Sequence, residues 1–238
     1  GRRVMAINFL RWRLAVSAGL LAGCAVCAVA QQRTLTQAGA AFRAGTAAYA
    51  RGDLKAARAQ FSEVGKLAPG IEEGHAALGV VLSAQGEYPR AVTELETALR
   101  LKPDDRAAEE NLARAYGQAG SPQKAAALLE RMDHESPLDA EMLALWAREL
   151  AAISQPDAAI DVMRRAAAAD PHNAVLLDQL GSLEAQKERW AEAEASFQAA
   201  LQMDPNLAAA AMHLGVVLSH EQQPVRAVAE MSRAAALD

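Results

Sequence analysis

From residue 38 onward, small and large apolar positions alternate on one fixed interval. Ala57, Ala91, Ala125, Ala159, Ala193 and Ala227 form one column. Phe61, Leu95, Leu129, Met163, Phe197 and Met231 form a second. Gly45, Gly79, Ala113, Ala147, Gly181 and Gly215 form a third, with Leu78, Leu112, Trp146, Leu180 and Leu214 just before its last five members. Within each column successive members lie 34 residues apart, and Pro69, Pro103, Pro137, Pro171 and Pro205 keep the same step. Such a register predicts tandem units, each too small to bury its apolar face alone.

The punctuation predicts two helices per unit. Helix A takes about the first 14 positions and helix B starts near the seventeenth. Pro122, Pro156 and Pro224 stand at the predicted helix-B start and Pro89 one position later. Proline is tolerated there because a first-turn N–H has no helical acceptor. Ser121 is a candidate cap for Pro122. Gly52, Gly86 and Gly120 occupy the A–B turn. Ser154, Glu188 and Gln222 replace glycine in the later units, so another turn geometry or a different termination is expected there. The recurrent proline ends helix B. Small residues in the Gly/Ala column let helices approach, and the Leu/Phe/Met column fills the space beside them. Glu184 stands where a large apolar or tyrosine residue is usual, which predicts a loosely packed edge.

A 34-residue helix-turn-helix period with these columns resembles the tetratricopeptide repeat family, whose pattern runs W-x2-L-G-x2-Y…A-x3-F…P. The resemblance implies an all-α, right-handed superhelical solenoid of antiparallel helix pairs. It places repeats at 38–71, 72–105, 106–139, 140–173, 174–207 and 208–238, the last incomplete. In this family helix A lines the inner face, and its positions 2, 5, 9, 12 and 13 face the groove. Those positions include Phe42, Tyr49, Glu73, Glu110, Arg114, Glu141, Arg148, Asp178, Met212 and His220. The competing reading of each is an ordinary solvated residue on a solenoid. Arg114 and Arg148 are 34 apart and are expected to stack along one groove, suited to an acidic side chain or a C-terminal carboxylate. Glu110 lies four residues before Arg114, so an ordinary intrahelical pair is the plainer reading of that contact. The lysine/asparagine pattern that clamps chaperone tails is missing. Phe42, Ala76, Glu110, Ala144 and Asp178 stand where its first lysine would be.

The first thirty residues follow another pattern. Arg2, Arg3, Arg11 and Arg13 come without any acid, and Leu14–Ala30 then runs 17 residues without a charge. A basic start before an apolar stretch is a secretory signal pattern, and the stretch is short for a bilayer span of about 20 residues. Two ends fit it. Ala28-Val29-Ala30 resembles a signal-peptidase site before Gln31. Leu21-Ala22-Gly23-Cys24 resembles a bacterial lipobox, in which Cys24 becomes the lipidated N-terminus; Ala25 after it resembles the outer-membrane sorting pattern. A retained membrane anchor is the third reading. Residues 31–37 are expected to be a short linker. Met5 is a candidate natural start.

Composition narrows the function classes. The 238 residues carry 24 Lys+Arg against 29 Asp+Glu, a formal charge of −5, and without residues 1–30 the balance is 20 against 29. An acidic surface argues against general nucleic-acid binding. Alanine supplies 58 residues and aromatics only 4%, which suits closely packed helices. Two cysteines cannot build a disulfide framework or a multi-cysteine zinc site.

No catalytic constellation emerges. His75, His134, His172, His213 and His220 make no H-E-x-x-H. His213 and His220 lie two helical turns apart, about 10 Å, too far for one metal. Asp104 and Asp105 read as loop-end and helix-start charges, and Glu72-Glu73 and Glu109-Glu110 as acids near helix N-termini. The sequence therefore predicts no enzyme, no metal and no cofactor. It predicts a protein-interaction scaffold or adaptor whose partner is a protein or peptide segment. Its expected place is extracytoplasmic (periplasmic), with lipid anchoring through Cys24 at the outer membrane as one form, in an envelope, secretion or pilus-type assembly. The alternatives are a repeat region of a larger enzyme and an inert structural spacer.

Overall fold

Among the described residues, six turns place a residue in the left-handed region at one constant spacing. They are Gly52, Gly86 and Gly120, with φ of 79°, 77° and 71°, and Ser154, Glu188 and Gln222, with φ of 61°, 56° and 58°. In each, the N–H of the following residue bonds to a carbonyl five residues back: Asp53 to Ala48, Glu87 to Leu82, Ser121 to Tyr116, Gln155 to Leu150, Arg189 to Glu184 and Gln223 to Leu218, at 2.9–3.0 Å. This is the helix-terminating geometry that favours glycine. The expectation of a different geometry in the later turns is therefore corrected. The backbone closure is the same, and serine, glutamate and glutamine adopt it against the steric preference of an L residue.

The computed structural model describes residues 25–237. Among them every regular element is a helix. The first is α1 (Ala25–Ala50), followed by α2 (Leu54–Leu67), α3 (Glu72–Ala84), α4 (Tyr88–Leu101), α5 (Arg106–Gln118) and α6 (Pro122–Glu135). Then come α7 (Ala140–Ala152), α8 (Pro156–Ala169), α9 (Ala174–Gln186), α10 (Trp190–Met203), α11 (Ala208–His220) and α12 (Pro224–Leu237). α1 runs through residues 31–37, so the expected linker is helical. The Ala30–Gln31 bond also lies inside α1. Cys24 and the lipobox before it fall outside the described residues.

Local chemistry sets the helix ends. Asp53, Asp105 and Asp139 precede α2, α5 and α7, and each accepts a backbone N–H three residues on, from Ala56, Ala108 and Met142, at 2.9, 3.3 and 2.8 Å. Asp105 is thus the helix-start charge that the sequence suggests. At the other ends, Ala68, Lys102, Asp170 and Asp204 each precede a proline and have left the helical region, with ψ between 65° and 96°. The ring of the next residue disfavours αR there, so the helix stops.

The helices fall into two compact units, one ending at Ser121 and one beginning at Pro122. In the first, α1 pairs with α2 and α3 with α4, and α5 packs on α4. Phe61, Val64, Val81, Leu82 and Leu95 are buried at its centre. In the second, α6 packs on α7, and α7/α8, α9/α10 and α11/α12 are pairs, with α9 against α8 and α11 against α10. Met142, Ile160, Phe197 and Leu218 are buried in it.

One relation recurs in both units. The glycine column of helix A lies directly against the large column of helix B sixteen residues on. A Cβ at Gly45 would sit 2.8 Å from the Phe61 ring, at Gly79 2.6 Å from Leu95 Cγ, at Gly181 2.7 Å from Phe197 and at Gly215 2.6 Å from Met231 Cγ. Missing side chains on one helix are filled by bulk on the other.

Glu184 also departs from the expectation of a loose edge. It is 2% exposed. Arg164 Nη2 on α8 donates to Oε1 at 2.8 Å, and Ser196 Oγ on α10 donates to Oε2 at 2.7 Å. A buried carboxylate with both oxygens bonded takes the place of an apolar side chain.

Candidate protein-binding faces

In the first unit the candidate residues lie on α1, α3 and α5. Phe42 is buried, its ring 5.4 Å from that of Phe61 at 59°. It belongs to the α1/α2 core rather than to an open face, because Gly45 beside it opens the space that Phe61 fills. Tyr49 is half-buried near the end of α1. Glu73 stands half-buried in the first turn of α3, and its Oε2 has no hydrogen-bond partner. Burial pushes its carboxyl above the usual range, neighbouring Glu72 pushes the same way, and a backbone hydrogen bond and Lys102 oppose both. Lys102 binds Asp105 at 2.8 Å and Glu72 at 3.4 Å, and the Asp105 hydrogen bond holds its ammonium above the ordinary lysine value. Glu110 meets Arg106 at 3.8 Å, and Arg114 is half-buried on the same helix.

In the second unit the candidates lie on α7, α9 and α11. Glu141 is exposed at the start of α7. The Arg148 side chain is 62% exposed and lies 3.3 Å through Nη2 from Oε1 of its neighbour Glu149, whose own side chain is buried. Arg114 belongs to the first unit and Arg148 to the second. Asp178, like Phe42, does not stand open on a groove face. It is mostly buried and bonded at 2.8 Å to Nδ1 of His213, which reaches it from α11. The His213 ring also lies 5.4 Å from that of Phe197. This pair ties α9 to α11. Met212 is exposed on α11. His220, at the C-terminal end of the same helix, stacks on Trp190 with ring centroids 4.3 Å apart and planes within 7°.

Three features of the second unit were missed from sequence. Val175 on α9 and Val216 on α11 are exposed, and with Met212 they leave 49%, 43% and 41% of large apolar side chains to solvent. Both valines occupy helix-A positions that the repeat frame already marks, positions 2 and 9, so the signal was present. The Asp178–His213 bond had none, since no spacing rule pairs residues 35 apart. The ion pairs between neighbouring elements were equally silent. Arg165 grips Asp133 with two bonds of 2.8 and 2.9 Å while its guanidinium lies 5.9 Å from the Trp146 ring. Asp157 takes Lys187 at 3.0 Å and Arg189 at 2.6 Å. The hydrogen bond from Lys187 holds the Asp157 carboxyl below its usual value.

Among the described residues, no three His, Cys, Asp or Glu side chains come together in a way that could hold a metal ion. No described helix is long and apolar enough to cross a membrane.

Paired helices, a 34-residue step and a glycine column against a bulky one define an all-α tandem-repeat protein. The tetratricopeptide repeat profile matches residues 76–140, 144–206 and 179–238, more than half of the chain. The chain belongs to the tetratricopeptide repeat family. No curated protein matches it by sequence. Solved structures of the same fold include YrrB, described as "a TPR protein with an unusual peptide-binding site". It is 19% identical over 75% of this chain and 92% of its own, with a TM-score of 0.63. They also include MamA, at 19% identity over 67% and 94% of the two chains and a TM-score of 0.64. A double mutant of MamA from RS-1 reaches 21% identity over 71% and 95%, with a TM-score of 0.68. At these identities the likeness is one of fold.

Proposed function

We propose that this protein is a non-catalytic scaffold that holds a segment of a partner protein on its helix-A faces. The observation that carries the reading is the exposed apolar set Val175, Met212 and Val216 on α9 and α11. Large apolar side chains left in water at the columns that face the groove elsewhere in the family suit a partner's apolar side chains. The peptide-binding site named for YrrB supports the same use of the fold. Arg148 stands on α7 of the same unit with most of its side chain in solvent, available to an acidic group of the partner.

Export places this scaffold outside the cytoplasm, in an envelope, secretion or pilus-type assembly. That part of the reading rests on the basic start and uncharged stretch of residues 1–30, with Cys24 as the site of lipid attachment.

The test is crosslinking and affinity capture of the full-length protein in its own host, followed by binary binding of each captured protein to purified scaffold. Met212→Asp with Val216→Asp, and separately Arg114→Glu with Arg148→Glu, are run alongside. A partner that binds the parent and is lost from the apolar double variant, while helicity is unchanged, supports the reading. Equal binding by parent and both variants overturns the assignment to these faces, and the absence of any captured protein that binds purified scaffold favours an inert spacer. Labelled fatty-acid incorporation that disappears in Cys24→Ala tests the anchor, and labelling that persists in that variant removes it.

A further inference from the structure

We draw no further inference here: the strongest candidate, the uncharged exposed stripe of α12 around Val225 and Val228, is an apolar face for which nothing in the structure shows what covers it.

Discussion

Arg164 on α8 reaches across to Glu184 on α9 at 2.8 Å, and the carboxylate it meets is almost fully buried while its own side chain is 44% exposed. The pair is asymmetric, and so are the consequences of cutting it. Arg164→Ala leaves a buried carboxylate with Ser196 as its remaining bond. Breaking a buried pair from one side costs about 3–5 kcal/mol, and water reaching the vacated site lowers this to roughly 2–3 kcal/mol. Glu184→Leu instead restores an apolar side chain and frees Arg164 to solvent. With Asp161 still 3.8 Å from Arg164 and only the Ser196 hydroxyl losing its acceptor, the change is expected to be neutral or stabilising by about 1 kcal/mol. Urea unfolding followed by circular dichroism checks both. A Glu184→Leu loss as large as that of Arg164→Ala would show that the carboxylate itself organises the α8–α9–α10 junction.

The three non-glycine turns carry strain that the glycine turns do not. An L residue held left-handed costs about 1–2 kcal/mol, and glycine returns part of that gain through greater freedom of the unfolded chain. Ser154→Gly, Glu188→Gly and Gln222→Gly are each expected to stabilise by about 0.5–1 kcal/mol. The reverse change, Gly86→Ala, is expected to destabilise by about 1 kcal/mol. Denaturation midpoints at constant slope decide this. Unchanged midpoints in all three glycine variants would mean that the left-handed turns are unstrained.

The repeat step, the proline stops and the small-against-large columns were readable because they are one-dimensional. Each is a local preference written at a fixed spacing, and the helix starts follow it along the chain. Faces were less readable. Phe42 sits at a groove position by count, yet the ring of Phe61 and the gap at Gly45 draw it into the core. Asp178 likewise keeps its place in the frame but loses its freedom to His213 from another repeat. Sequence position fixes which side of a helix a residue leaves from. What arrives from the next element decides whether it stays in solvent. Glu184 and the left-handed Glu188 show the same limit, since a rule about residue type at a position fails where a partner side chain or a backbone bond compensates.

The contact of Gly181 with Phe197 gives a test of the column rule. A methyl group on Gly181 would lie 2.7 Å from the ring, nearer than carbon atoms approach without displacement. Gly181→Ala is expected to destabilise by about 1–3 kcal/mol through overpacking, despite the better helix propensity of alanine. Phe197→Leu replaces the ring with the smaller side chain that the same two columns already set against alanine, at Ala113 and Leu129, both fully buried. The double variant is therefore expected to be more stable than the sum of the single effects predicts, by at least about 0.5 kcal/mol. Strict additivity in the double-mutant cycle would show that the two positions do not press on one another.

Glu73 supplies a pH dependence whose sign runs opposite to that of an ordinary ion-paired carboxylate. Burial, then Glu72, raise its folded pKa above the reference value of 4.5. The native state then holds a proton that the unfolded state has already released. Stability falls as pH rises from the unfolded to the folded value, and the whole penalty is present above the latter. Asp133 behaves conversely. Burial raises its carboxyl, but the Arg165 hydrogen bonds and the Leu138 N–H outweigh this and hold it below 3.8. Its contribution is present above 3.8 and is lost as pH falls through the lowered folded value. Glu73→Gln is thus expected to be more stable than the parent at pH 7 and to converge with it near pH 4, where the parent's carboxyl is protonated. Unfolding free energies of the two proteins across that interval measure the difference directly. A gap that stays constant with pH would show that the gain comes from packing of the amide, and a gap that widens on acidification would reverse the sign argued from burial.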